Sequence, residues 1–400
     1  MLKRVVQYAD RMFGLKRNLE AMRDGRPRPR IPASLVIKGL MVMLLARLGS
    51  LNGLEQVRPK GWLRRWLGGD VPSADTMGRV AQGVSPEPIR QALGRQYGRR
   101  RRNKSLAALP SGLRPVIFDG HEACASYYRH CPECSTRTVH MAQGDRTQYY
   151  HRYVLALLAL PQTYLLLDVE MHRPGEDETA CAKRLLERLL ERFPRAFNVV
   201  CGDNLYMNPG FCKVALEHGK DFIVVLKNEN RDLLKDARGL FDRQVPRRHR
   251  RKKTTYLWWD LEGFTSWESI DAPVRVVRSV ETKPVPRGRE GLDETVRSEW
   301  VWVTTLPQRT VSTGTIVRLG HGRWAIENYG FNELANQWHA DHVYKHAPNA
   351  LLVLWLLVCL AYNLFHTFLS RNVKSVLRAR HSAIHFAQIV AASLCVFSFP

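Results

Sequence analysis

The sequence predicts an α/β protein: a mixed sheet with helices on both faces, a β-rich insertion within it, and a helical region in front. Three observations predict this. From about Leu106, apolar runs of strand length alternate with amphipathic helical stretches. Between 236 and 310 that pattern gives way to short alternating runs, Thr254–Asp260, Val274–Val280 and Glu299–Thr305. Residues 1–105 carry the punctuation of short helices.

The elements follow in order. Pro27, Pro29 and Pro32 interrupt after a basic helix; an apolar helix then runs from Ser34 to about Leu48 and leaves at Gly49 and Gly53. Ser73-Ala74-Asp75-Thr76 is a capped helix start, and Ser85-Pro86-Glu87-Pro88 opens another with proline in its first turn. Arg99-Arg100-Arg101-Arg102-Asn103-Lys104 reads as a linker to residues 106–400, either contacting phosphate or simply solvated. Val116–Asp119 is a short strand, and Tyr149–Leu160 and Thr163–Glu170 form a hairpin about Pro161-Gln162. Gly175-Glu176-Asp177-Glu178 starts a helix to about Phe193, its acids favoured by the helix dipole. Strands follow at Phe197–Asp203 and Asp221–Lys227, with a helix at Pro209–His218 between them. Beyond the insertion, long helices at 318–336 and 348–370 finish the core.

Composition narrows the function classes. Among 400 residues, 61 Lys and Arg against 37 Asp and Glu give a net charge of +24. Residues 1–105 hold 23 of the former and 7 of the latter, two-thirds of the excess. A charge so concentrated points to a polyanion, nucleic acid before a membrane surface, with a plain basic surface as the bland alternative. The basic segment suits a DNA-binding bundle. The N-terminus lacks an apolar signal region, and 350–369 reads as a buried core helix rather than a membrane span. Eight irregularly spaced Cys suggest a reduced, intracellular chain.

Three acids sit in apolar settings. Asp119 ends Arg-Pro-Val-Ile-Phe-Asp-Gly, Asp203 lies in Val-Val-Cys-Gly-Asp-Asn-Leu-Tyr, and Glu327 lies in Gly-Arg-Trp-Ala-Ile-Glu-Asn. Charges beside apolar strands are costly unless paired or bound to a cation, so two strand-end Asp and a helical Glu make a candidate all-oxygen Mg²⁺ site suited to phosphoryl transfer. Arg323, one turn before Glu327, either holds a phosphate or pairs with a carboxylate. Glu122, Asp168 and Glu170 compete for places near this site; Asp145 and Asp341 read as loop and cap residues. Arg250, Arg251, Lys252 and Lys253 belong to a run, Arg247–Lys253, that is basic at six of seven positions. Trp258 and Trp259 follow it, either to stack on bases or to fill a small core.

Taken together, these motifs resemble the DDE transposases of bacterial insertion sequences, in particular those with a β-insertion before the catalytic Glu. Asp-Asn-Leu-Tyr at Asp203 and Arg-x-x-x-Glu at Arg323–Glu327 are similar to family elements, and the resemblance covers about 110–365. It implies an RNase H-like catalytic domain using Mg²⁺ or Mn²⁺ at Asp119, Asp203 and Glu327, with Asp119 as the bridging ligand. It also implies a homodimer on double-stranded DNA, acting on terminal inverted repeats and target DNA in a bacterial cytoplasm, at the nucleoid. An RNase H-like nuclease without strand transfer, or a catalytically dead DNA-binding descendant, stands as the alternative. The family's Tyr three residues before the Arg and Lys seven after the Glu are Gly320 and Leu334 here, with Tyr329 and Lys345 the nearest substitutes. A second candidate metal set, for structural Zn²⁺, is Cys124, Cys131, Cys134 and His140, the alternative being reduced loop cysteines. Cys181, Cys201, Cys212, Cys359 and Cys395 read as core.

Overall fold

Strand-length apolar runs need cover on two faces; helices from the middle of the chain cover one, and helices toward its two ends cover the other. The computed structural model describes residues 1–161, 163–228, 231–287 and 292–394; Gln162 of the expected hairpin turn and Cys395 lie outside the described residues. Seven helices come first: α1 (Leu2–Phe13), α2 (Leu15–Glu20), α3 (Ala33–Leu45), α4 (Leu51–Glu55), α5 (Gly61–Leu67), α6 (Ala74–Gly83) and α7 (Glu87–Arg102). Next come β1 (Pro115–Ser126), β2 (Ser135–Val139), β3 (Arg146–Leu160), β4 (Thr163–Met171), α8 (Glu178–Arg192), β5 (Val199–Gly202), α9 (Pro209–Glu217) and β6 (Asp221–Val225). After α10 (Asp232–Phe241) come β7 (Arg247–Arg251), β8 (Thr254–Phe264), β9 (Val274–Arg287) and β10 (Leu292–Thr304). The chain ends with α11 (Thr313–Gly322), a π-helix (Ile326–Asn332), α12 (Glu333–Trp338), α13 (Pro348–Asn372), α14 (Ser375–Arg380) and α15 (Ala383–Ala392).

Among the described residues the strands form one ten-stranded sheet in the order β2-β3-β1-β5-β6-β10-β9-β8-β7, with β4 on β3. Strand alternation divides the core. Val116, Phe118, Val200 and Val224 face α8, α9 and α10, whereas Ile117, Leu155, Cys201 and Trp302 face α11, the π-helix and α13. The helices thus cover both faces, as an RNase H-like core requires.

The β-rich insertion prolongs the core sheet: β10 pairs with β6 through Trp302↔Val225 and Thr304↔Ile223. Three expectations are corrected. Residues 99–102 are the last turn of α7, not a linker, and Arg100 turns inward to donate to Thr163 Oγ1 at 2.6 Å. The strand at Asp119 continues to Ser126 because β3 pairs with it that far. The helix expected over 318–336 breaks after Gly322 and passes through π geometry before α12.

The basic N-terminal helices share a core with the C-terminal helix. Val36, Leu40, Met77 and Ile89 pack in one cluster with Leu354, Val358 and Tyr362 of α13. Helix α13 is long and apolar enough to cross a membrane, but 89% of its apolar window is buried within this chain. Ala347 precedes it and Pro348 occupies its first turn, where the missing N–H costs nothing.

Candidate active site

The parallel pairing of β1 with β5 ends at Ile117↔Cys201, and Asp119 and Asp203 each stand two residues further on. Side chains two apart share a face. Ile117 and Cys201 lie in the cluster beneath the π-helix, so the two Asp residues leave the sheet edge toward that helix. Buried Ile326 anchors the π-helix, and Glu327 follows it, half-exposed at the rim. Arg323 joins the pieces: its Nη1 lies 3.3 Å from Asp119 Oδ2 and 3.0 Å from Glu327 Oε1. Asp203 Oδ1 accepts the Leu205 N–H at 2.8 Å, fixing the turn after β5.

A fourth carboxylate belongs to this group, and sequence reasoning missed it. Asp177 caps α8, accepting the Ala180 N–H at 2.7 Å; Glu178 instead turns inward, and Tyr206 Oη donates to its Oε1 at 2.9 Å. Glu178 is pressed against β1, where a Cβ on Gly120 would meet its Oε2 at 2.1 Å. The signal was present. Glu178 precedes Cys181, Ala182, Leu185 and Leu189 at helical spacing, on the buried stripe of α8.

Burial pushes the Asp119 carboxyl up to about 7; Asp203, Glu178 and Glu327 push the same way, and Arg323 opposes them. Glu178 is raised too, by burial first and Asp203 next. Desolvated carboxylates repelling one another at a strand end are a hard-oxygen cation site by chemistry, and the donor set fits Mg²⁺ or Mn²⁺.

The competing acids are elsewhere. Glu122 pairs with Arg137, 2.7 Å from Oε1 to Nη2. Asp168, buried, pairs with Arg90 at 3.1 Å and Arg188 at 2.7 Å, and Glu170 joins the same network; these tie α7 and α8 to β4. Leu334 is fully buried, and at Gly320 the ring of Trp302 lies 2.3 Å from where a Cβ would stand, so neither of those family side chains has room. Of the nearby substitutes, Tyr329 stacks on Tyr164 at 4.1 Å, and the Lys345 stem packs over Gly78.

Among the basic candidates, Arg99, Arg101, Arg102, Lys104, Arg250, Arg251, Lys252 and Lys253 are exposed, and Arg100 is buried. Trp258 and Trp259 are half-buried on opposite faces of β8. His249 stacks on Trp258 at 4.7 Å, while Trp259 donates to the Gln244 carbonyl at 3.2 Å. Arg247, Arg251, Trp258 and Arg318 line a cleft of about 500 Å³ between the β7–β8 ribbon and α11.

The expected zinc set is regrouped. Cys131 and Cys134 converge with His151 and His346, all four ligand atoms within 4.8 Å of one another. Cys124 is buried outside that group, and His140 is exposed, with its Nδ1 2.7 Å from Asp145.

A family model described as a transposase DDE domain matches residues 128–364, more than half of the chain. The match includes Glu178, Asp203, Arg323 and Glu327, and begins shortly after Asp119. No curated protein matches the sequence.

Proposed function

The chain belongs to the transposase DDE-domain family, and from that premise we propose a specific cut-and-paste activity. The protein binds the terminal inverted repeats of its own mobile element, cleaves strands at those ends with Mg²⁺, and joins them to target DNA. The observation that carries this reading is the convergence of Asp203, Glu178, Glu327 and Arg323 around Asp119.

Asp119, Asp203 and Glu327 would hold the Mg²⁺ or Mn²⁺, with Glu178 fixed beside them by Tyr206. Bound there, one or two such ions supply Lewis acidity to an in-line displacement at phosphorus. Arg323 spends one nitrogen on two carboxylates; the remaining donors of its planar fork suit a phosphodiester oxygen. Arg99, Arg101, Arg102, Lys104 and the exposed β7–β8 turn, Arg250–Lys253, would grip phosphates without reading sequence. The cleft under Trp258 offers an aromatic edge beside Arg247, Arg251 and Arg318, a setting suited to an unpaired nucleotide. Two ends need two sites, so the acting species is a homodimer on DNA.

The test is a nicking and joining assay on the element's own ends with Mg²⁺. Asp203→Ala is expected to abolish both steps while end binding by gel shift stays intact. A variant that still cuts would remove Asp203 from the site. Wild-type products that stop at nicked ends would reduce the activity to hydrolysis.

A further inference from the structure

We propose that Cys131, Cys134, His151 and His346 form a closed structural Zn²⁺ site that staples the exit of the Glu327-bearing helical segment to the sheet. Tetrahedral Zn²⁺, with Zn–S near 2.3 Å and Zn–N near 2.0 Å, sets ligand separations of about 3.8 Å for S–S and about 3.5 Å for S–N. The structure has Cys131 Sγ to Cys134 Sγ at 3.7 Å, and each sulfur 3.4 Å from His151 Nε2. His346 Nε2 lies 3.1 Å from Cys134 Sγ. At 3.7 Å the sulfurs are far beyond a disulfide bond of about 2.05 Å. The Cys131 N–H also points to Cys134 Sγ at 3.2 Å, which fixes the turn that brings the two sulfurs together. Two thiolates and two neutral imidazoles balance a divalent cation, select Zn²⁺ over hard cations, and leave no open position for catalysis. Binding releases the two thiol protons to solvent.

The ligands come from three places: the turn between β1 and β2, strand β3, and the connection 339–347 from α12 to α13. That connection also meets the active-site strand. His121, two residues past Asp119, stacks on Phe331 of the π-helix at 4.7 Å and stands 3.6 Å from Asp341. A cation there ties the segment after Glu327 to β1 and β3, whether or not the catalytic reading above is right.

The full chain, purified without a metal-binding tag, is expected to carry one equivalent of zinc by plasma mass spectrometry. Exchange into Co²⁺ is expected to give the thiolate-to-cobalt charge-transfer band and intense visible bands of a tetrahedral S₂N₂ centre. Cys131→Ser and Cys134→Ser lose the zinc; Cys124→Ser and His140→Ala keep it. Metal-free wild-type protein that gives no cobalt charge-transfer band overturns the site, and so does an octahedral or thiolate-free cobalt spectrum. Loss of zinc from Cys124→Ser with retention in Cys131→Ser overturns the ligand assignment. The wild-type cobalt spectrum decides the matter even where a cysteine variant fails to fold.

Discussion

Gly120→Ala tests how the fourth carboxylate is held. The new Cβ would stand 2.1 Å from Glu178 Oε2 and 2.3 Å from its Cδ, where ordinary contact begins near 3.4 Å. The backbone at 120 lies outside the left-handed region, so only space is at issue. Glu178 must retreat by more than an ångström, and behind it stands Tyr206, fully buried and bonded to it at 2.9 Å. The atoms met are the end of a flexible side chain, which can move, so the main cost is the lost partner of a buried hydroxyl, about 1–3 kcal/mol. We expect Gly120→Ala to lower unfolding free energy by about 1–3 kcal/mol in urea titrations, and cleavage by about 10²-fold, with DNA binding retained. In a Glu178→Ala background the conflict disappears, so the same change costs only a few tenths of a kcal/mol and the double-mutant cycle shows coupling of about 1 kcal/mol or more. A Gly120→Ala protein as stable as wild type, with additive double-mutant energies, would refute the placement of Glu178.

Further outcomes follow from the same geometry. Asp119 is raised to about 7, so the folded chain keeps a proton that the unfolded chain has released. Stability in EDTA therefore falls as pH rises from about 4 to 7 and levels off above, by a few kcal/mol at most. Asp119→Asn should flatten much of that slope in denaturant titrations across the window, and an unchanged slope would contradict the assignment. Gly320→Ala brings a Cβ within 2.3 Å of the buried Trp302 ring and should cost about 1–3 kcal/mol with a shifted tryptophan emission; an unaltered melting midpoint and spectrum would show that Trp302 does not fill that space.

The three acids were legible because each ends or follows an apolar run, and the strands that carry two of them are continuous in sequence. Glu178 was hidden by a local explanation that sufficed: an acid in the first turn of a helix satisfies the dipole, and only the phase of the buried stripe separates Asp177 from it. The zinc partners were hidden by distance along the chain. Cys131 and Cys134 announce themselves, but His346 stands 212 residues from Cys134 and nothing local marks it. Arg100 shows the limit of a charge run, which records composition and not which side chain a helix turns inward. The β-insertion was visible as strands; its fusion to β6 was not, because register between 223–225 and 302–304 is set only on folding.

The shared core of the first and last helices bears on the order in which the molecule can assemble. Residues in α3, α6 and α7 leave the ribosome early, yet the apolar surface they need belongs to α13, some three hundred positions later. Until Pro348–Asn372 emerges, the basic helices have no floor, and the sheet lacks the layer that closes one side of the carboxylate cluster. The basic helices and the sheet that carries the carboxylates therefore mature together, once α13 has been made. A fragment cut near residue 105 would bare one flank of α13, the one described helix both long and apolar enough to cross a membrane, and should aggregate.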